Sequence, residues 1–176
     1  MSGVSKFIRV GRVVAAALVA TAIGAGTAAH AQKSKAKAKE HEITITINHV
    51  KALDFNDWGL AGQADYYTKV TIAGETFTTT RIRGANEIRP NWKISKKVKP
   101  GKHDVKVQIF DKDVLKPDEY IDINRVDNKR DLDFTVDTRS CRVGGFSSGY
   151  KCGQLITREG QQRKKAQLEF TVSVAK

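Results

Sequence analysis

Cysteine is nearly absent from this 176-residue chain, which has two, Cys141 and Cys152. No histidine lies near them in sequence, so a zinc site lacks its ligands. In an exported chain, which the N-terminus described below indicates, an even count reads as one disulfide, with two free thiols as the alternative. Closing so short a loop stabilises a fold by about 3 kcal/mol in the chain-entropy model. Histidine stops at His103. Gly145-Phe146-Ser147-Ser148-Gly149 fits G-x-S-x-G by letter, but no later histidine can serve as its base. No strong strand precedes it and no helical pattern follows, so it reads as a flexible glycine loop. His41, His49 and His103 form no close metal-ligand pair. Acidic side chains are in deficit, 19 against 31 Lys and Arg, for a formal net charge of +12. That excess favours acidic partners: lipid head groups, acidic polysaccharide or nucleic acid.

Long apolar runs are missing except at the start. Lys6, Arg9 and Arg12 precede an uncharged, Ala/Val-rich stretch from Val13 to Ile23, and Ala29-His30-Ala31 is an A-x-A cleavage site. Residues 1–31 therefore read as a signal peptide cleaved after Ala31, and the protein as secreted or periplasmic. The alternative, a membrane anchor, would rest on the 17 uncharged residues from Val13 to Ala29, at the lower edge of a span and only mildly apolar. Export makes nucleic acid the least favoured partner. Removing three positive and no negative charges leaves a net charge near +9 on 145 residues, the size of one ordinary domain. Residues 32–41 carry no large apolar side chain and read as a disordered basic tail, acting as a spacer or as an attractor to an anionic surface. The domain proper is expected over 42–176.

Within it no helical stripe appears, and the hydrophobic period is two. Ile43, Ile45 and Ile47 alternate with polar residues, which describes a half-buried strand. Tyr66 to Ile72 and Glu75 to Thr80 flank Ala73-Gly74 as a hairpin. Further alternation predicts strands over Trp92 to Val98, Val105 to Phe110, Leu132 to Val136 and Ala166 to Val174. About seven strands with turns between them predict an all-β, antiparallel two-sheet β-sandwich. Thr138 to Lys165, Gly-rich, basic and holding both cysteines, reads as a disulfide-tied loop excursion before the last strand.

Two loops concentrate carboxylates: Asp54 to Asp65, and Asp111 to Glu119. An Asp-x-Asp pair at a strand end, such as Asp111 and Asp113, can aim both carboxylates at one point. Calcium takes six to eight hard oxygens in irregular geometry, which loop carboxylates suit. The plainer alternative is solvated turn residues, with Asp favoured for turn geometry. Asp54, Asn56 and Gly59 half-match a helix-flanked calcium loop, but Trp58 stands where a ligand belongs and the flanks read as strands.

The order of these features resembles the C2 domain family of calcium- and lipid-binding β-sandwiches. An opening strand ends in Leu53 before an acidic loop. Asp65-Tyr66-Tyr67-Thr68-Lys69-Val70 follows, then Thr78-Thr79-Thr80, and Asn86 to Trp92. Val105 to Phe110 runs into Asp111-Lys112-Asp113, with Asp118 beyond. The resemblance covers Ile43 to Ile123, with Ala166 to Val174 as a closing strand. It departs from the family pattern at the missing Pro after Asp65, at Pro90 preceding Asn91, and at the missing Gly near Tyr120 to Ile123. The resemblance implies calcium as the cofactor, held by Asp57, Asp65, Asp111, Asp113 and Asp118, with Asp54 and Glu119 as alternative first and last ligands. It also places both loops at one end of the sandwich, so that Trp58, Leu60, Val114 and Leu115 are candidate lipid-entering tips unless they fold back onto the core. Lys93, Lys97 and Lys99 share a strand face that can hold phosphate head groups, or is a solvated outer face. The chain thus reads as a binder, not an enzyme, for nothing supplies the cleft a hydrolase needs. The expected function is a calcium-responsive module on an anionic membrane or acidic polymer. The alternative is a metal-free envelope or protein-interaction domain of the same fold.

Overall fold

The computed structural model describes residues 39–54, 63–115 and 117–176. The expected signal segment and most of the basic tail lie outside them, as do Asp57, Trp58 and Leu60. The thirteen strands among the described residues are β1 (His41–Ala52), β2 (Ala64–Ile72), β3 (Glu75–Thr78), β4 (Ile82–Ala85), β5 (Glu87–Ile88), β6 (Trp92–Val98), β7 (Lys102–Asp111), β8 (Glu119–Ile121), β9 (Leu132–Asp137), β10 (Arg142–Gly144), β11 (Tyr150–Lys151), β12 (Leu155–Glu159) and β13 (Ala166–Ala175). No helix occurs among them.

The strands form two antiparallel sheets. The first runs β12-β13-β1-β5, with β6 also paired to β1; the second runs β11-β10-β9-β7-β2-β3, with β4 on β2 and β8 on β7. The period-two pattern decides which side chains enter the space between the sheets. Ile43, Ile45 and Ile47 from β1 and Leu168 and Phe170 from β13 are fully buried, as are Val70, Val107 and Ile109 from the second sheet. Each such burial removes a whole aliphatic or aromatic side chain from water, about 1.5–3 kcal/mol apiece.

The seven expected strands are β1, β2, β3, β6, β7, β9 and β13, with ends adjusted: β1 starts at His41, and β3 stops at Thr78, before the expected Thr80. A bulge between Ile47 and His49 breaks the parity of β1. It leaves His49 buried, with Nε2 2.8 Å from Glu87 Oε1 and Nδ1 3.5 Å from Glu169 Oε2.

The 138–165 excursion is more ordered than its glycines suggest. It contains β10, β11 and β12, and it crosses from one sheet to the other: β10 pairs with β9, and β12 with β13. Cys141 and Cys152 are disulfide-bonded as expected, across 11 residues, with Cα atoms 5.3 Å apart. Changing both cysteines to serine is expected to lower stability by about 3 kcal/mol, read as a fall in the urea midpoint; an unchanged midpoint means the pairing of β10 and β11 holds this turn unaided.

Candidate functional site

The antiparallel pairing of β2 with β7 sets Tyr66 opposite Asp111. It therefore brings the end of the first acidic loop to the start of the second. Asp65 N donates to Asp111 Oδ1 at 2.7 Å, across 46 residues of chain. Burial pushes the Asp111 carboxyl up; the Asp65 N–H opposes this, the Asp113 and Asp65 charges add to the rise, and the Lys164 charge lowers it. Asp54 lies at the same end, its Oδ1 accepting from Lys165 N at 3.0 Å.

Asp118 is engaged elsewhere. Its Oδ2 accepts from the Tyr67 hydroxyl at 2.6 Å, and Lys112 Nζ lies 3.0 Å from its Oδ1. Tyr67 and its cross-strand partner Phe110 point away from the core, one residue out of phase with the inward Tyr66. Asp118 is thus drawn to the outer face of the second sheet, and the Tyr67 and Lys112 bonds hold its carboxyl below the usual range.

Cations of the chain stand among these acids. Arg81 Nη1 is 3.4 Å from Asp65 Oδ2, whose Oδ1 accepts from Gly84 N at 2.8 Å. Lys164 reaches Glu119 and also faces Asp111. Calcium wants six to eight oxygens free to turn toward it. Here Asp54, Asp65, Asp111, Asp118 and Glu119 already accept from protein donors or pair with protein cations. Among the described residues no three acidic, histidine or cysteine side chains are grouped to hold a metal ion. Five of the described carboxylates are thus committed to protein partners, while Asp57, the other first-loop candidate, lies outside the described residues.

Three surfaces remain. Val114 and Leu115 stand out at the tip of the second acidic loop, 85% and 97% exposed. A cleft of about 410 Å3 on the outer face of the second sheet gathers Lys69, Arg81 and Lys112 around Tyr67, Thr78 and Thr79. Lys69 Nζ lies 4.7 Å above the Phe110 ring, which stacks on Tyr67 at 5.0 Å. Sequence reading passed over these cations, because each is a single charge in its own segment and only strand pairing collects them. Tyr67 and Lys69 share a parity on β2, as do Phe110 on β7 and Lys112 just past its end, and that was the available signal. Two of the three are partly neutralised, Arg81 by Asp65 and Lys112 by Asp118.

The lysine face differs in that respect. Register places Lys93 and Lys97 opposite Thr46 and Glu42, side by side on the exposed face of β6. Lys99 follows in the turn and Lys102 opens β7, both exposed. Asp137 stands opposite Lys102, but none of the four forms an ion pair among the described residues, whereas Lys96, of opposite parity, pairs with Glu75 at 3.2 Å.

The comparisons now bear on this geometry. A structure of the two tandem C2 domains of extended synaptotagmin 2 superposes with a TM-score of 0.53 at 14% identity, covering 93% of this chain and 48% of that one. A single C2 domain of plant extended synaptotagmin 1 gives 0.51 at 12%, covering 76% of this chain and 92% of that one. Human GIVD cytosolic phospholipase A2 gives 0.51 at 15%, covering 78% of this chain but 16% of its own, so the chain spans about a sixth of that enzyme. Identities this low speak for the fold alone. No curated protein matches the chain. The C2 domain family matches residues 42–138, more than half of the sequence and the stretch that builds both acidic loops and the lysine strand, and the chain belongs to that family.

Proposed function

We propose that the domain binds an anionic membrane surface through the lysine edge formed by β6, its following turn and the first residue of β7, outside the cytoplasm, without calcium. The observation that carries this is the set of four exposed ammonium groups, Lys93, Lys97, Lys99 and Lys102, none of them in an ion pair among the described residues, although Glu42 and Asp137 stand opposite Lys97 and Lys102 in register. Each lysine near an anionic bilayer is worth about 1 kcal/mol. The cleft around Lys69 offers less, because nearby acids offset two of its cations. C2 domains commonly bind calcium and lipid membranes, and the lipid half of that repertoire is the half supported here. Protein cations already pair with Asp65, Asp118 and Glu119 of the described acids, which supports a surface held by charge alone. The chain acts as a binder in this reading, and residues 1–31 direct its export.

Sedimentation with vesicles of phosphatidylcholine and phosphatidylserine tests this. Binding is expected to be equal in chelator and in calcium, and to weaken steeply with salt. Changing all four lysines to Gln should weaken it by about 4 kcal/mol, roughly a thousandfold. Changing Lys69 and Lys112 to Gln should have a smaller effect. Binding that requires calcium, or that survives loss of the four lysines, overturns the proposal. If Leu115→Asp alone abolishes binding, the loop tip is the contact and the lysine edge is not.

A further inference from the structure

Residues 139–165 lie beyond the stretch matched to the family, and they add a cavity to the sandwich. About 370 Å3 in volume, it opens between the 124–132 segment and the strap that carries β10 to β12. The strap is fixed at both ends, since β10 pairs into one sheet and β12 into the other. Side chains it contributes are therefore held by the two sheets.

Arg158, on β12, is the best placed of these. Its guanidinium carbon lies 4.1 Å from the Phe146 ring centre and 5.5 Å from that of Tyr150. Phe146 in turn rests on Phe134 at 5.4 Å. Stacking of this kind fixes the guanidinium plane before any ligand arrives. Arg158 Nη1 donates to the Thr157 carbonyl at 3.3 Å, and the side chain has no carboxylate partner among the described residues. Lys129, exposed on the facing segment, has none either. Of the other charged groups lining the cavity, Arg125 pairs with Glu159 at 2.7 Å, and Asp133 shares Lys106, at 3.1 Å, with Asp131, at 2.6 Å, so its charge is only partly offset. Arg158, a planar fork, and Lys129, a point charge, are the lining cations without an ion-pair partner, with the Ser147 hydroxyl in the same lining.

We propose that this cavity binds a phosphate monoester. Arg158 supplies two parallel N–H donors, Lys129 a mobile ammonium and Ser147 a hydroxyl. A phosphate monoester carries about −1.5 to −2 at neutral pH and accepts on three oxygens, enough to engage the Arg158 fork, the Lys129 ammonium and the Ser147 hydroxyl together. A carboxylate offers its oxygens to the Arg158 fork alone and leaves Lys129 and Ser147 without an acceptor. The site is distinct from the lysine edge, because β12 and β6 lie on opposite sides of β13 and β1 in the first sheet. One molecule can hold both ligands together.

Residue-resolved NMR at constant ionic strength tests this with inorganic phosphate as the probe. Saturable shifts are expected at Phe146, Ser147 and the Arg158 side chain. Lys129→Gln, a change at an exposed position, should weaken them roughly tenfold. Arg158→Lys should do the same, by keeping the charge and losing the fork. Glycerol 3-phosphate acting at the same residues identifies a soluble ligand, whereas phosphatidic acid vesicles broadening them identify a lipid head group; either supports the site. The proposal is overturned if acetate shifts these residues as strongly, if phosphate perturbs only the β6 lysines, or if Lys129→Gln binds as the parent does.

Discussion

Alanine at position 160 is expected to destabilise the domain by on the order of 3 kcal/mol or more, seen as a lower urea midpoint with an unchanged slope. A Cβ added to Gly160 lies 2.1 Å from the Asp122 carbonyl oxygen and 2.7 Å from the Asp122 Cγ. Neither neighbour can retreat easily. The Asp122 carbonyl accepts from Ala166 N at 2.8 Å, and Asp122 N donates to the Lys164 carbonyl at 2.8 Å, so its backbone is sewn to the strap on both sides. Relief must come from the strap, and that movement stretches the bond from Gly160 N to the Ala166 carbonyl, now 3.0 Å. Gly149 is the control. A Cβ there meets nothing within 4 Å, so Gly149→Ala should stay within about 0.5 kcal/mol of the parent. Equal midpoints for the two variants mean the strap yields freely.

The same strap marks where sequence reading stopped. The long strands were legible because every second residue in Ile43 to Ile47, or in Ala166 to Val172, is apolar and buried on one face. β12 was not, because of its five residues only Ile156 is buried, which leaves no alternation to see. β10 likewise buries Val143 alone. The bulge at Asn48 has no signature in composition, yet it turns His49 toward Glu87 and Glu169. At the candidate sites, the lysine face could be read from one strand because Lys93 and Lys97 share its parity. The partners of the acids could not. Lys164 meets Glu119, and Arg81 meets Asp65, through loops and registers that no local pattern encodes. Carboxylates crowded in a basic protein do ask for a counter-charge; among the described residues that charge comes from side chains of the chain itself.

Asp122→Ala is expected to have the other large effect, about 3–5 kcal/mol. Asp122 is fully buried. Its Oδ2 accepts from Gln161 N at 2.8 Å and Gln162 N at 2.6 Å, and its Oδ1 from Asn124 N at 2.9 Å. Truncation leaves three backbone donors without this acceptor and removes a charge-assisted clamp on the strap. Asp122→Asn should be milder, because its oxygen can still accept on one side, while its amide then opposes a backbone N–H on the other. The consequence extends to the acidic loops. The strap presents Lys164 to Glu119 and Asp111, and the bond from Lys165 N to Asp54 ties its end to the first loop. Loosened at Asp122, it no longer holds Lys164 in place. Lys164→Gln should therefore destabilise the parent but have little further effect in the Asp122→Asn background, a coupling that a double-mutant cycle measures directly. Strict additivity would show that Lys164 is held by Glu119 alone and that Asp122 only closes the strap.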